Sequence, residues 1–292
     1  MKFNIYIKQI LLKIFIKIIF LYSVLFSIHS CFTEVGNPEP EYSISGTATK
    51  GPISNGIVTA YSLKADGTLG VKIDSTTTNE NGEFSFLYSE SFKNPVAFIL
   101  TEGLFKDEAT SNNVYFEKEE NLRTYLPSIS TEQEISITAL TEIATSCSLT
   151  KVQSGLSINN ALEYAYNDIA QKFGLSNITM TPENPFKGNL DATKQESKYA
   201  LIQAGFSEYA KINGAKNTIS VVKAFALDNE DCTFDGKSFS NTIILEGTNN
   251  NFAADAYQKG LKEAIDSYIS SSQNTTGIKA YPGNGNKNSY GY

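Results

Sequence analysis

The chain has 292 residues, with 24 basic side chains against 31 acidic ones, one histidine and no tryptophan, for a net charge of −7. The histidine is His29, so the chain beyond residue 30 cannot run a Ser-His-Asp or Cys-His mechanism and lacks the usual nitrogen ligand for zinc. The acidic balance argues against nucleic acid as a partner and against electrostatic adhesion to anionic lipid.

Residues 1–30 hold Lys2, Lys8, Lys13 and Lys17, no acidic residue, and an uncharged apolar run from Ile18 to Ile28. A basic stretch before a short apolar one is the layout of an export signal. A run of about 11 residues falls well short of the roughly 20 that span hydrocarbon as a helix. The run closes on Ile28-His29-Ser30-Cys31, which resembles the bacterial lipobox, an aliphatic residue three before a cysteine and a small one directly before it. His29 departs from the small or hydroxylated residue usual there. The resemblance implies cleavage after Ser30 and a diacylglyceryl thioether plus an N-acyl chain on Cys31. At about 0.8 kcal/mol per buried methylene, several acyl chains hold a protein on a bilayer without a helix. The alternative is ordinary signal peptidase cleavage that leaves Cys31 a free thiol. Cleavage removes four lysines and no acid, so basic side chains fall from 24 to 20 against 31 acids, and the net charge from −7 to −11. Phe32, next to the lipidated cysteine, is not the aspartate that retains many lipoproteins at an inner membrane. The resemblance therefore points to the outer membrane, with surface exposure left open.

Residues 31–42 carry Gly36, Pro38 and Pro40 and no hydrophobic period, as in a flexible tether. From 43 to 138 short β-rich runs alternate with turn residues. Phe84, Phe86 and Tyr88 alternate onto one face, and Val96-Ala97-Phe98-Ile99-Leu100 is apolar on both, as in a strand covered on each side. Lys50-Gly51-Pro52, Asp66-Gly67 and Asn79-Glu80-Asn81-Gly82 mark turns. This spacing predicts an all-β sandwich.

The stretches Ser45 to Ile53, Gly56 to Tyr61 and Thr76 to Phe86, with a Thr-x-x-x-Gly-x-Phe hairpin from Thr78 to Phe84, resemble a carboxypeptidase-regulatory-like domain. The resemblance covers about residues 43–88. It implies a transthyretin-like, immunoglobulin-like β-sandwich that lends stability or a binding surface and does not catalyse. Thr101 to Thr110 and Ile137 to Ala144 are similar to segments of bacterial envelope lipoproteins in which such a sandwich precedes a helical region.

After Thr138 the period becomes helical, giving an expected all-α domain at 139–271. Ser157 is an N-cap candidate; Ile158, Leu162, Ala165, Ile169 and Phe173 form a stripe, and Gly174 a stop. Further helices are predicted near 191–212, 218–227 and 253–270, their apolar stripes facing a core. Residues 272–292, rich in Asn, Gly, Ser and Lys, read as a disordered tail. Cys147 and Cys232 are expected to pair in an oxidising envelope, closing 85 residues for about 4–5 kcal/mol of chain entropy, or else to stay as buried thiols.

Asp228, Asp231 and Asp235, in Asp228-Asn229-Glu230-Asp231-Cys232-Thr233-Phe234-Asp235-Gly236, form a candidate calcium set, weighed against a solvated helix-to-loop junction. The spacing is not that of an EF-hand. Asp107-Glu108 is a conceivable half of an acid/base pair, but adjacent acids in a β-rich surface protein usually sit on exposed turns. The reading is therefore an α+β chain, sandwich then helices, acting as a non-enzymatic envelope lipoprotein without a cofactor. It would be held to the membrane by its lipid and would bind a protein or glycan or serve a structural role. The alternative is a carboxylate-dependent hydrolase or carbohydrate-active protein.

Overall fold

The computed structural model describes residues 42–88, 92–129 and 132–282. The expected export signal, Cys31 and the tether up to residue 41 lie outside them. The strands are β1 (Tyr42–Ala48), β2 (Ile57–Leu63), β3 (Leu69–Thr77), β4 (Glu83–Tyr88), β5 (Val96–Thr101), β6 (Leu104–Lys106), β7 (Asn113–Tyr115), β8 (Asn121–Leu126) and β9 (Gln133–Ile137). The helices α1 (Ala139–Gln153), α2 (Ile158–Lys172), α3 (Gln195–Asn213) and α4 (Thr218–Asp228) follow. A small hairpin of β10 (Lys237–Ser238) and β11 (Asn241–Thr242) comes next, then α5 (Leu261–Ser270). The class is α+β.

Two sheets, in the orders β4-β1-β9 and β3-β2-β5-β8, and the small β6-β7 hairpin precede the helices. β1 pairs antiparallel with β4 and parallel with β9. A parallel pair needs a long crossover, and here everything from β2 to β8 supplies it. In β4 the alternate residues Phe84, Phe86 and Tyr88 are buried, as their spacing predicts. The Phe86 ring lies 5.9 Å from Tyr88 and 5.6 Å from Phe98 of β5, so side chains of both sheets meet in one core. The Thr78 to Phe84 hairpin has a specific chemistry. Thr78 Oγ1 donates to the Ile53 carbonyl at 2.6 Å and accepts from the Gly56 N–H at 2.8 Å. Gly82 has φ of +78°, and a Cβ there would lie 2.4 Å from the Ala48 carbonyl oxygen. Only glycine meets both conditions.

α1 begins at a capping box, in which the Thr138 side chain accepts from the Thr141 N–H and the Thr141 hydroxyl accepts from the Thr138 N–H. Its first ten residues, 139–148, are all buried, which is why no amphipathic stripe announces it in the sequence. Ser157 caps α2 as expected, and Ile158, Leu162, Ala165 and Ile169 are buried along it. α3 is buried from Ser197 to Ala210, and its Gly205 admits Ile265 of α5 where a Cβ would lie 2.4 Å away. The predicted helix at 253–270 is α-helical only from Leu261, after a π-helical turn at Ala256–Gly260. One hydrophobic core runs from strand residues such as Ile44, Phe98 and Ile137 into helix residues such as Leu140, Phe206 and Ile265.

The expectation of disorder from residue 272 is corrected as far as residue 282. Ile278 is buried, the Leu190 N–H donates to the Thr276 carbonyl at 2.8 Å, and Asn274 Nδ2 donates to the carbonyls of Ile269 and Ile278. Side-chain to backbone bonds of this kind order a polar segment without leaving a hydrophobic period. Residues 283–292 lie outside the described ones.

Candidate functional site

The densest polar cluster in the interior links three parts of the chain. Lys50 follows β1, Asp107 and Glu108 follow β6, and Ser207 and Thr218 come from α3 and the start of α4. Lys50 Nζ donates to Glu108 Oε2 at 2.6 Å and to Ser207 Oγ at 2.8 Å, and Ser207 Oγ donates to the same Glu108 oxygen at 2.5 Å. Thr218 Oγ1 lies 3.2 Å from Ser207 Oγ and donates to Asp107 Oδ2 at 2.6 Å. Asp107 Oδ1 accepts from the N–H groups of Ala109 and Thr110 and from the Thr110 hydroxyl. The expected exposed turn at Asp107-Glu108 is thus a correction, since Asp107 is 5 % exposed and Lys50 and Glu108 not at all. Charges tolerate burial only when paired and hydrogen-bonded, and Lys50 supplies the pairing from 58 positions away. Burial alone would raise the pKa of Asp107, but the Lys50 charge and the Thr218 and Thr110 hydroxyls outweigh it and hold the group below its usual value.

Serine, lysine and carboxylate are the parts of an activated-nucleophile system. Here they are committed to one another. The Lys50 ammonium donates to both Ser207 and Glu108, so the serine oxygen is held as an acceptor and the carboxylate oxygen it would need as a base is shared. Glu108 Oε1 is buried without a hydrogen-bond partner among the described residues.

A second cluster ties β8, α1 and α4. Glu142, 1 % exposed, takes a two-pronged bond from Arg123 at 2.9 and 2.7 Å and a third from Lys223 at 2.6 Å. Lys223 also donates to Asn121 Oδ1. Glu142 falls in the Ile137 to Ala144 segment and Asp107-Glu108 in the Thr101 to Thr110 segment, so both stretches noted in the sequence supply buried charges that join strands to helices.

One cavity adjoins the first of these clusters and another lies among the strands. The first, of about 500 Å³, has the buried Asp107, Ser207 and Thr218 in its wall, together with Asn112, Asn113 and Tyr115 of the β6-β7 hairpin. The other, about 630 Å³, is lined by Ser45 and Thr47 of β1, Thr76 and Thr77 of β3, Glu83 of β4 and Glu134 of β9.

Asp228, Asp231 and Asp235 do not form the expected calcium set. Asp228 Oδ1 accepts from the backbone N–H groups of Asp235, Gly236 and Lys237, at 2.9, 2.6 and 3.2 Å. Asp231 Oδ1 receives the N–H and hydroxyl of Thr233, and Asp235 Oδ1 the N–H of Lys237. Asp228 and Asp235 share the Lys237 N–H while Asp231 holds a separate turn, and no group of three or more His, Cys, Asp or Glu side chains among the described residues gathers around a common point. Burial, helped by the charge of Asp235, pushes the Asp228 pKa up to about 6 against the pull of the three N–H groups. Cys147 of α1 and Cys232 form a disulfide with their Cα atoms 4.9 Å apart, as expected, while the expected lipidation site, Cys31, lies outside the described residues. None of the helices among the described residues is long and apolar enough to cross a membrane.

The fold and its polar clusters define an α+β protein whose strands and helices are locked by buried ion pairs and one disulfide. No family model matches the chain, and no curated protein and no solved structure matches it either.

Proposed function

We propose that the chain is a lipid-anchored protein of the bacterial envelope, without catalytic activity, that binds a protein or glycan or serves a structural role there. In this reading Cys31 carries the lipid in the outer membrane. The strand-rich part is a sandwich of the carboxypeptidase-regulatory-like kind, and the helices form the part that follows it. The observation that supports the reading most is the Cys147–Cys232 disulfide, because such bonds persist in oxidising compartments and are rare in a reducing cytosol. Export is what the basic and apolar stretches of residues 1–30 encode. The commitment of Lys50, Ser207 and Glu108 to one another supports the absence of catalysis.

The test is metabolic labelling with an alkyne palmitate analogue, followed by membrane fractionation and protease treatment of intact cells. The wild-type chain should label and sediment with membranes, and Cys31→Ala should lose both properties. An unlabelled wild-type chain in the soluble fraction would exclude the reading. The alternative, a carboxylate-dependent hydrolase or carbohydrate-active protein, is favoured by one observation, the presence of Asp107 in the wall of the 500 Å³ cavity. It predicts a turnover that Asp107→Asn abolishes while the fold persists.

A further inference from the structure

We infer that the 500 Å³ cavity beside the β6-β7 hairpin and the start of α4 is a binding site for a neutral carbohydrate, with Tyr115 as its stacking face. The inference rests on the envelope-binding reading and gives it a ligand class. The volume falls within the roughly 300–1,000 Å³ typical of small-molecule sites.

The cations around the cavity are already spent. Both oxygens of Asp107 are occupied, by four donors in all. Lys216 lies 3.1 Å from Glu117, 3.5 Å from Glu120 and 3.1 Å from Glu246, and Lys211 lies 3.0 Å from Glu208. Lys216 is thus shared among three carboxylates, which leaves an excess of negative charge there, and a phosphate, sulfate or carboxylate ligand meets no uncompensated cation in the lining. The polar side chains of the lining that lack a partner among the described residues are neutral. Asn112 and Asn113 are exposed, and their side-chain amides bond to no described residue. Tyr115 is 74 % exposed. Amides offer a donor and an acceptor side by side, which matches the vicinal hydroxyls of a sugar, and an exposed aromatic face matches the C–H face of its ring.

These groups also stand on a firm support. Phe105 is buried in the core, and the Ser54 and Leu104 N–H groups each donate to the other's carbonyl at 2.8 Å. Asp107 caps the turn between the strands, and Ser111 Oγ donates to Gln273 Oε1 at 2.5 Å. Asn112 and Asn113 thus project from a loop fixed at both ends, which lowers the cost of ordering them around a ligand.

The experiment is saturation-transfer NMR on the full chain in detergent micelles. The neutral probes are maltotriose, cellotriose, mannotriose and N-acetylchitotriose, and the charged probes are sialyllactose and inorganic phosphate. At least one neutral trisaccharide should receive saturation at millimolar concentration. Tyr115→Ala should weaken that binding about five- to ten-fold, while Leu87→Ala, on β4 and outside the cavity, leaves it unchanged. Tyr115 is exposed, so its variant should keep the wild-type circular dichroism. Saturation of no neutral probe, binding of charged probes only, or undiminished binding by Tyr115→Ala would each overturn the assignment. The palmitate labelling is read separately. A lipidated chain that binds none of the sugars removes the ligand class and leaves the envelope reading standing, whereas an unlabelled chain removes the envelope reading whatever the sugars do.

Discussion

Glu142 and Asp228 are both buried carboxylates, and they respond to acid in opposite directions. Burial would raise the pKa of Glu142, but Arg123 and Lys223 hold it down at about 2 against an ordinary 4.5. Arg123 is the stronger partner, since its fork engages both oxygens and burial itself pulls the pKa of Lys223 down. The folded value of Glu142 lies below the unfolded one, so its stabilisation is complete above about pH 4.5 and is lost as the pH falls toward 2. Its size is on the order of 3 kcal/mol. Glu142→Gln leaves two cations without their carboxylate and should cost about 3–5 kcal/mol near neutral pH. In a series of urea denaturations the variant should also lose the part of the acid-side slope that Glu142 supplies.

Asp228 has its pKa raised from 3.8 to about 6, so the folded state holds the proton more tightly than the unfolded one. Its contribution is therefore most favourable below about pH 3.8 and declines as the pH rises through 6. Asp228→Asn keeps the acceptor that binds three backbone N–H groups and removes the charge. The variant should match the wild type in acid and exceed its melting temperature above pH 6; equal melting temperatures there would show that the N–H groups offset the burial in full.

Among the elements, the disulfide joins α1 to the turn after α4 across 85 positions. Cys147→Ala with Cys232→Ala should lower the urea-denaturation stability by roughly 4–5 kcal/mol if chain entropy governs the effect. Gly205→Ala places a methyl where Ile265 packs, and should loosen α3 from α5 at a cost of about 1–3 kcal/mol in the same assay.

The elements most legible in the sequence are those with one wet face. The alternation of β4 and the stripe of α2 state their own burial, and Ser157 and Gly82 mark boundaries by chemistry that few other residues supply. α1 carries no such contrast, because its first ten residues are buried all round. The site was harder still to read. Lys50 reaches Glu108 across 58 positions and Ser207 across 157, and nothing local to any of them marks the meeting. The calcium expectation failed for a related reason, since carboxylates close in sequence are as well suited to accepting backbone N–H groups as to surrounding one ion.

At the scale of the whole molecule, strands and helices share one core, and the described residues belong to one compact unit. A fragment ending at residue 138 would expose the strand residues that pack on α1 and leave Arg123 without Glu142. It should therefore show strand-type far-ultraviolet dichroism without a cooperative melt, and a sharp transition would mean that the strands hold a sufficient core of their own.

The place of β1 in its sheet matters if the proposed anchor at Cys31 holds, because tension from it would reach the described residues at β1. β1 is hydrogen-bonded along both edges, antiparallel to β4 and parallel to β9, and it begins at Tyr42, the first of the described residues. A pull along the strand axis loads both rows of bonds in shear, so they share the tension and must fail together. An edge strand peeled from one end would give way bond by bond. A protein held at one end by lipid and at the other by a bound partner would thus take mechanical load on the strand best placed to bear it.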